Sequence, residues 1–174
     1  MIAFAFVLQS PDVTPDWLSD VAAAVAVQLA RDVAPAWGLA PPRVQVAVYR
    51  TLDDLPSGVL PIVLLPTSDV AGDYGYHGET ADGGFYARVF TRGLKLDDIS
   101  RTISHEAIEA LVDPACNRWV SAPDGRLYAL EAADPVEADS YPITLGDDMV
   151  YVSNFVLPAW FDEATPDEAI TDHL

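Results

Sequence analysis

The stretch Ser104-His105-Glu106-Ala107-Ile108-Glu109-Ala110-Leu111-Val112-Asp113-Pro114 constrains this chain more than any other. On an α-helix, His105 and Glu109 are four residues apart and project from one face, one turn above the other, within reach of a single ion. Glu106 lies beside His105 on the same polar flank. The helical wheel puts Ile99, Ile103, Ala107, Ala110 and Leu111 on one broad face, and Ile108 and Val112 widen it. What remains is a narrow polar stripe of Thr102, His105, Glu106, Glu109 and Asp113. A helix that is apolar around most of its circumference has to be buried, so the stripe must line an interior site. There, two side chains can hold a zinc ion while the unligated Glu106 takes a proton from the water on the metal.

The rest of the chain has to enclose such a helix. Its 174 residues suit one domain, 1–174, and 51% of them are hydrophobic, enough for a packed core. Lys and Arg total 9 against 27 Asp and Glu, with the bases scattered, so binding to nucleic acid through phosphate neutralisation is excluded. A formal charge of −18 instead serves solubility, repulsion of acidic surfaces, or a local demand for cations. Cys116 is the single cysteine, which rules out an internal disulfide framework and leaves any metal to His and carboxylate ligands. It reads as a small buried residue. The apolar start Met1 to Val7 has no basic flank and stops at Gln9-Ser10-Pro11, so it reads as a strand, not a signal peptide. No apolar run approaches the roughly 18 residues of a membrane span. A soluble protein, cytoplasmic or virion-associated, is the expectation.

The pattern predicts an α+β fold: a mixed sheet packed on two main helices, followed by C-terminal β-hairpins. Thr14-Pro15-Asp16 caps a first helix that runs to Val33. Arg43–Arg50 alternates with period two, and Leu60–Leu65 and Phe85–Phe90 are short apolar runs, giving three further strands. Asp69 to Gly84 is rich in glycine and aspartate and carries Tyr76 and His77. The second helix begins near Asp97 and ends before Asp113-Pro114. Ala122-Pro123-Asp124-Gly125 and Leu145-Gly146-Asp147-Asp148 are turn sequences between β-prone runs. Trp119, Trp160 and Phe161 read as core or interface anchors.

A glycine-rich segment, the strand Phe85–Phe90 and the helix with His105-Glu106-Ala107-Ile108-Glu109 occur in the order found in zincin metallopeptidases, which this sequence resembles. In that family an HExxH helix follows a sheet whose antiparallel edge strand borders the substrate cleft. The chain is more similar still to metallopeptidase-like proteins of phage and bacterial genomes. With them it shares Gly75-Tyr76-His77, the Ser-His-Glu helix ending in Asp113-Pro114, Glu131-Ala132-Ala133-Asp134-Pro135-Val136-Glu137, Asp139-Ser140-Tyr141, and Ser153 to Phe161. About half the chain is covered. Glu109 departs from the zincin pattern by replacing the second histidine, and its charge shifts preference toward harder cations: zinc stays favoured, with manganese or calcium compatible.

Two helical ligands leave zinc under-coordinated, so a third is required. Glu131, Asp134 and Glu137 recur at spacing three around Pro135, and an extended, polyproline-like segment would turn all of them to one side. The resemblance to the gluzincin branch, whose third ligand is a downstream Glu, favours Glu131, with Asp134 close behind. Asp113 is two turns from His105, too far to share its ion, and is expected to end the helix. His77 and Tyr141 are candidates for stabilising an oxyanion, whereas His173, next to the C-terminus, has no assigned role. Two functions follow. One is a zinc-dependent metallopeptidase acting on a peptide or protein substrate. The other is a non-enzymatic structural or accessory protein that associates with phage particle proteins and keeps a zincin-like shape.

Overall fold

The computed structural model describes residues 2–121, 124–165 and 169–174. It is a mixed α/β fold of a five-stranded sheet, two main helices, the second of which carries His105, and C-terminal antiparallel strand pairs. β1 (Ala3–Leu8) lies between β2 (Arg43–Tyr49) and β3 (Leu60–Leu65), pairing in parallel with both. Covered on both faces, it reads as an unbroken apolar run instead of an alternating one. β5 (Phe85–Phe90) adds in parallel to β3, and β4 (Gly75–Glu79) pairs antiparallel with β5 at the edge.

β4 falls inside the segment where no strand was expected. Gly75-Tyr76-His77-Gly78-Glu79 lacks apolar alternation, and what makes it extended is its ladder to β5, His77 standing opposite Ala87. The hairpin closes at Gly83, whose φ of +84° suits glycine alone, while Thr80 Oγ1 receives the Gly84 N–H at 2.9 Å.

α1 (Pro15–Gln28) starts as its sequence dictates, with Thr14 Oγ1 accepting the Trp17 N–H at 3.2 Å and Pro15 in the first turn. It does not continue regularly to Val33. The backbone widens into a π-helical turn, Leu29–Val33, before a last short turn, Ala34–Ala36. Pro35 has no N–H to give the carbonyl of Arg31 and would crowd it, and the wider turn carries the chain past that conflict.

α2 (Leu96–Val112) begins one residue earlier than expected and ends, as expected, at Asp113. Between Ile99 and Val112 only Arg101, Thr102 and His105 escape full burial. The sheet turns Phe4, Phe6, Leu8, Ile62, Leu64, Ala87 and Val89 toward the helices, all of one pleat parity, and these join α1 and α2 in one core.

The other side of α2 is closed by the hairpin of β8 (Ser140–Leu145) and β9 (Asp148–Ser153), which adds Ile143, Val150 and Val152 to that core. Ser100 and Ser104 stitch helix to hairpin: Ser100 Oγ donates to the Tyr151 carbonyl at 2.7 Å, and Ser104 Oγ accepts from Ser153 N at 2.6 Å. The turn at Leu145-Gly146-Asp147-Asp148 forms as expected, with Gly146 at φ +65°. β6 (Trp119–Ser121) and β7 (Leu127–Ala129) form the other antiparallel pair; Ala122 and Pro123 of its expected turn lie outside the described residues.

Trp119 and Trp160 are not core anchors: they keep 59% and 49% of their surface exposed. Phe161 packs on Trp37 with ring centroids 6.1 Å apart. Among the described residues no helix is long and apolar enough to cross a membrane.

Candidate metal centre

One turn of α2 brings His105 Nε2 to 3.3 Å from Glu109 Oε1. Asp134 Oδ1 approaches the same nitrogen at 3.2 Å. Asp134 opens a 3₁₀ turn, Asp134–Val136, so the segment is not the extended or polyproline-like stretch the spacing suggested. A 3₁₀ helix also repeats every three residues. That repeat relates Asp134 to Glu137, the residue that ends the turn; Glu131 lies before it, and all three line one pocket. Glu109 anchors this segment, because its Oε1 also accepts the N–H groups of Ala133 and Asp134 at 3.3 and 3.2 Å.

The second histidine comes from the edge strand. His77 Nε2 is 3.1 Å from the Asp113 carbonyl, and since a carbonyl only accepts, that nitrogen carries the hydrogen. Nδ1 then faces Glu106 Oε2 at 3.6 Å and Glu109 Oε2 at 3.7 Å. Glu131 Oε2 is 3.9 Å from His77 Nε2, so Glu131 stands beside His77, and Asp134 is the downstream carboxylate beside His105. Asp113 ends the helix and fastens the next loop, its carboxylate accepting the Arg118 N–H at 2.7 Å.

These groups line a pocket of about 600 Å³. Arg101, at its rim, is the only Lys or Arg among the lining residues. Cys116 lines it as well: it is half-buried rather than buried, has a φ of +48°, and directs its thiol to the His77 carbonyl at 3.4 Å. Burial, reinforced by Glu131, pushes that thiol up to about 12, so it stays protonated. Its sequence context, one cysteine after an Asp-Pro stop, carried no sign of this placement.

The electrostatics follow from crowding carboxylates in a partly dry space. Burial, then Glu109, lifts Glu131 to about 7. Burial also raises Glu106. For His77 burial opposes the charge, yet Glu106, Glu109 and Glu131 outweigh it and raise the imidazole to about 9. His105 is raised well above its usual value, with Asp134 and Glu109 overcoming burial, and Asp134 is lowered by its bond to His105.

The residues present fit a divalent cation. Two ligands of a tetrahedral ion with bonds of about 2.05 Å are about 3.3 Å apart, which is the spacing of Glu109 Oε1 and Asp134 Oδ1 from His105 Nε2. Glu106 Oε2 and Glu131 Oε2 are buried without any hydrogen-bond partner, as oxygens awaiting a cation would be. One imidazole with two carboxylates suits zinc or manganese.

Tyr141 is not brought to this pocket. Its phenol donates to Asp32 at 2.9 Å and accepts from Gln28 Nε2 at 3.1 Å, in a separate network under α1. His173 belongs there too, stacked on Phe155 with centroids 4.8 Å apart. His77 has its Nε2 hydrogen committed to Asp113, so that nitrogen has no hydrogen left for an oxyanion. Compared with protein families, curated proteins and solved structures, the chain matches none.

Proposed function

We propose that this protein is a metal-dependent hydrolase of peptide bonds with a zincin-like arrangement, its cation held by His105, Glu109 and Asp134. The convergence of Glu109 Oε1 and Asp134 Oδ1 on His105 Nε2, inside a pocket large enough for a peptide segment, carries the reading. Bound there, zinc or manganese supplies Lewis acidity to a carbonyl oxygen and makes a water easier to deprotonate.

The chain supplies the rest. Glu106 accepts the proton at a carboxylate oxygen, and its raised basicity, a consequence of burial, suits the task. β4 is hydrogen-bonded to β5 along one side and is the edge strand of the sheet, where an extended peptide would add, although its His77 carbonyl already accepts the Cys116 thiol. Glu109 holds the Asp134 turn against α2 and so fixes the distance between the downstream ligand and the helix.

The test is digestion of a broad peptide library, read by mass spectrometry, with zinc-loaded wild type and Glu106→Gln. Cleavage by wild type alone is expected, since the amide is nearly isosteric but cannot take the proton. A wild type that is metal-loaded and inert across the library overturns the hydrolase reading in favour of a structural or accessory protein.

A further inference from the structure

We propose that the pocket holds a second divalent cation, bound by His77 Nδ1, Glu106 Oε2 and Glu109 Oε2, with Glu109 bridging it to the cation at His105 and Asp134. The inference rests on the metal-dependent reading above and extends it from one ion to two.

Three observations carry it. The first is the orientation of His77. With the Nε2 hydrogen committed to the Asp113 carbonyl, Nδ1 points at two carboxylate oxygens, 3.6 and 3.7 Å away. Those separations are longer than an N–H···O hydrogen bond, which closes at about 3.2 Å. They are a few tenths of an ångström longer than the roughly 3.3 Å edge of a tetrahedral site, and the three ligand atoms all lie within 4.8 Å of one another, so a small closure would bring them onto a common ion.

The second is Glu106. Its side chain is only 5% exposed, and Oε2, the oxygen facing His77, has no hydrogen-bond partner. A buried carboxylate oxygen with no donor is costly, and a cation satisfies it directly. The other oxygen, Oε1, lies against Gly75 at the pocket wall and stays free for the proton.

The third is charge. Six carboxylates, Asp73, Glu106, Glu109, Glu131, Asp134 and Glu137, line one pocket whose only Lys or Arg among the described lining residues is Arg101. With both imidazoles neutral, six carboxylates and Arg101 carry a formal charge of −5; one divalent cation leaves −3, and a second brings it to −1. His77, Cys116 and Glu131 also come close enough to share an ion, but that grouping uses Nε2, which Asp113 already occupies. A nitrogen ligand with two carboxylates selects zinc or manganese.

The experiment is metal stoichiometry on the full chain, stripped with chelator and then titrated with Zn²⁺ by calorimetry and elemental analysis. Two equivalents are expected in wild type, and one in each of His77→Ala, Glu106→Gln and His105→Ala. Manganese-loaded wild type should give the spin-coupled paramagnetic resonance spectrum of two bridged ions, and Glu106→Gln the spectrum of one isolated ion. One equivalent in wild type, lost in His105→Ala and kept in His77→Ala, overturns the second site and leaves the single-ion reading standing. No bound metal in wild type overturns both. Should His77→Ala fail to fold by circular dichroism, the near-isosteric Glu106→Gln decides: two equivalents in that variant refute the proposal.

Discussion

Gly75 and Glu106 meet where the edge strand crosses the helix: a Cβ on Gly75 would lie 2.6 Å from Glu106 Oε1, and only 3.1 Å from the Arg88 carbonyl. The contact makes the strand a wall that holds the carboxylate in place. Glycine is required here by close approach, not by backbone conformation.

Gly75→Ala is therefore expected to push Glu106 out of position. Overpacking of this kind costs about 1–3 kcal/mol, and a displaced base lowers hydrolysis at least about tenfold with the protein still folded. Peptide turnover and a thermal melt on the same preparation check it. An active, unshifted variant would show that Glu106 needs no such support.

Asp134 and Glu131 should separate as ligands. Asp134 touches His105 and Glu131 stands beside His77. Asp134→Asn is expected to weaken the first metal equivalent by at least the roughly 10–100-fold that loss of even an outer-shell partner costs. Glu131→Gln should weaken it less. Competition against a chromogenic chelator measures both, and the reverse order would restore Glu131 as the third ligand.

Loaded and stripped protein should respond to pH in opposite directions. A cation on His77 and His105 keeps the imidazoles neutral and lowers their apparent folded pKa, so its stabilisation is full at neutral pH and fades toward acid. Without metal the folded pKa of His77 is raised to about 9, above its unfolded value. That contribution is complete below about 6.5 and lost as pH rises through about 9. Melting curves from pH 5 to 10, with and without EDTA, should cross. Superimposable curves would mean that no cation bears on the fold.

Asp32 provides a test remote from the pocket. Burial alone would raise its carboxyl, but the hydrogen bonds from Arg31 and Tyr141 prevail and hold it below the usual value. A depressed folded pKa stabilises above the unfolded value of about 3.9 and loses its effect as pH falls through the folded value. Asp32→Asn should cost about 1–2 kcal/mol at pH 7 and progressively less below pH 4, without affecting metal content. Urea melts at the two pH values decide it.

Much of the candidate site was legible because its geometry is local. The i, i+4 spacing of His105 and Glu109 brings them together on any α-helix, and the apolar wheel around them required the burial that α2 shows. The period of three linking Asp134 and Glu137 was read correctly and given the wrong backbone, since polyproline and 3₁₀ helices share that repeat. Thr14 and Pro15 announced the start of α1, whereas Pro35 announced a break without saying that it would take the form of a π turn.

By itself, then, the sequence determined the strands β1, β3 and β5, the buried helix and the pairing of His105 with Glu109 on it, all of which depend on neighbours within a few residues. Tertiary structure alone decided the rest. β4 has no pattern of its own and is a strand because β5 supplies its hydrogen bonds, and that ladder carries His77 to Glu106 and Glu109. Asp134 rather than Glu131 reaches His105 because the Glu109 carboxylate captures two backbone N–H groups of that turn. Tyr141 faces Gln28 and Asp32 because β8 turns it inward beneath α1. Apart from the β4–β5 hairpin, each of these contacts joins residues more than twenty positions apart, and only packing, which sums burial and hydrogen bonding over the whole chain, can select them.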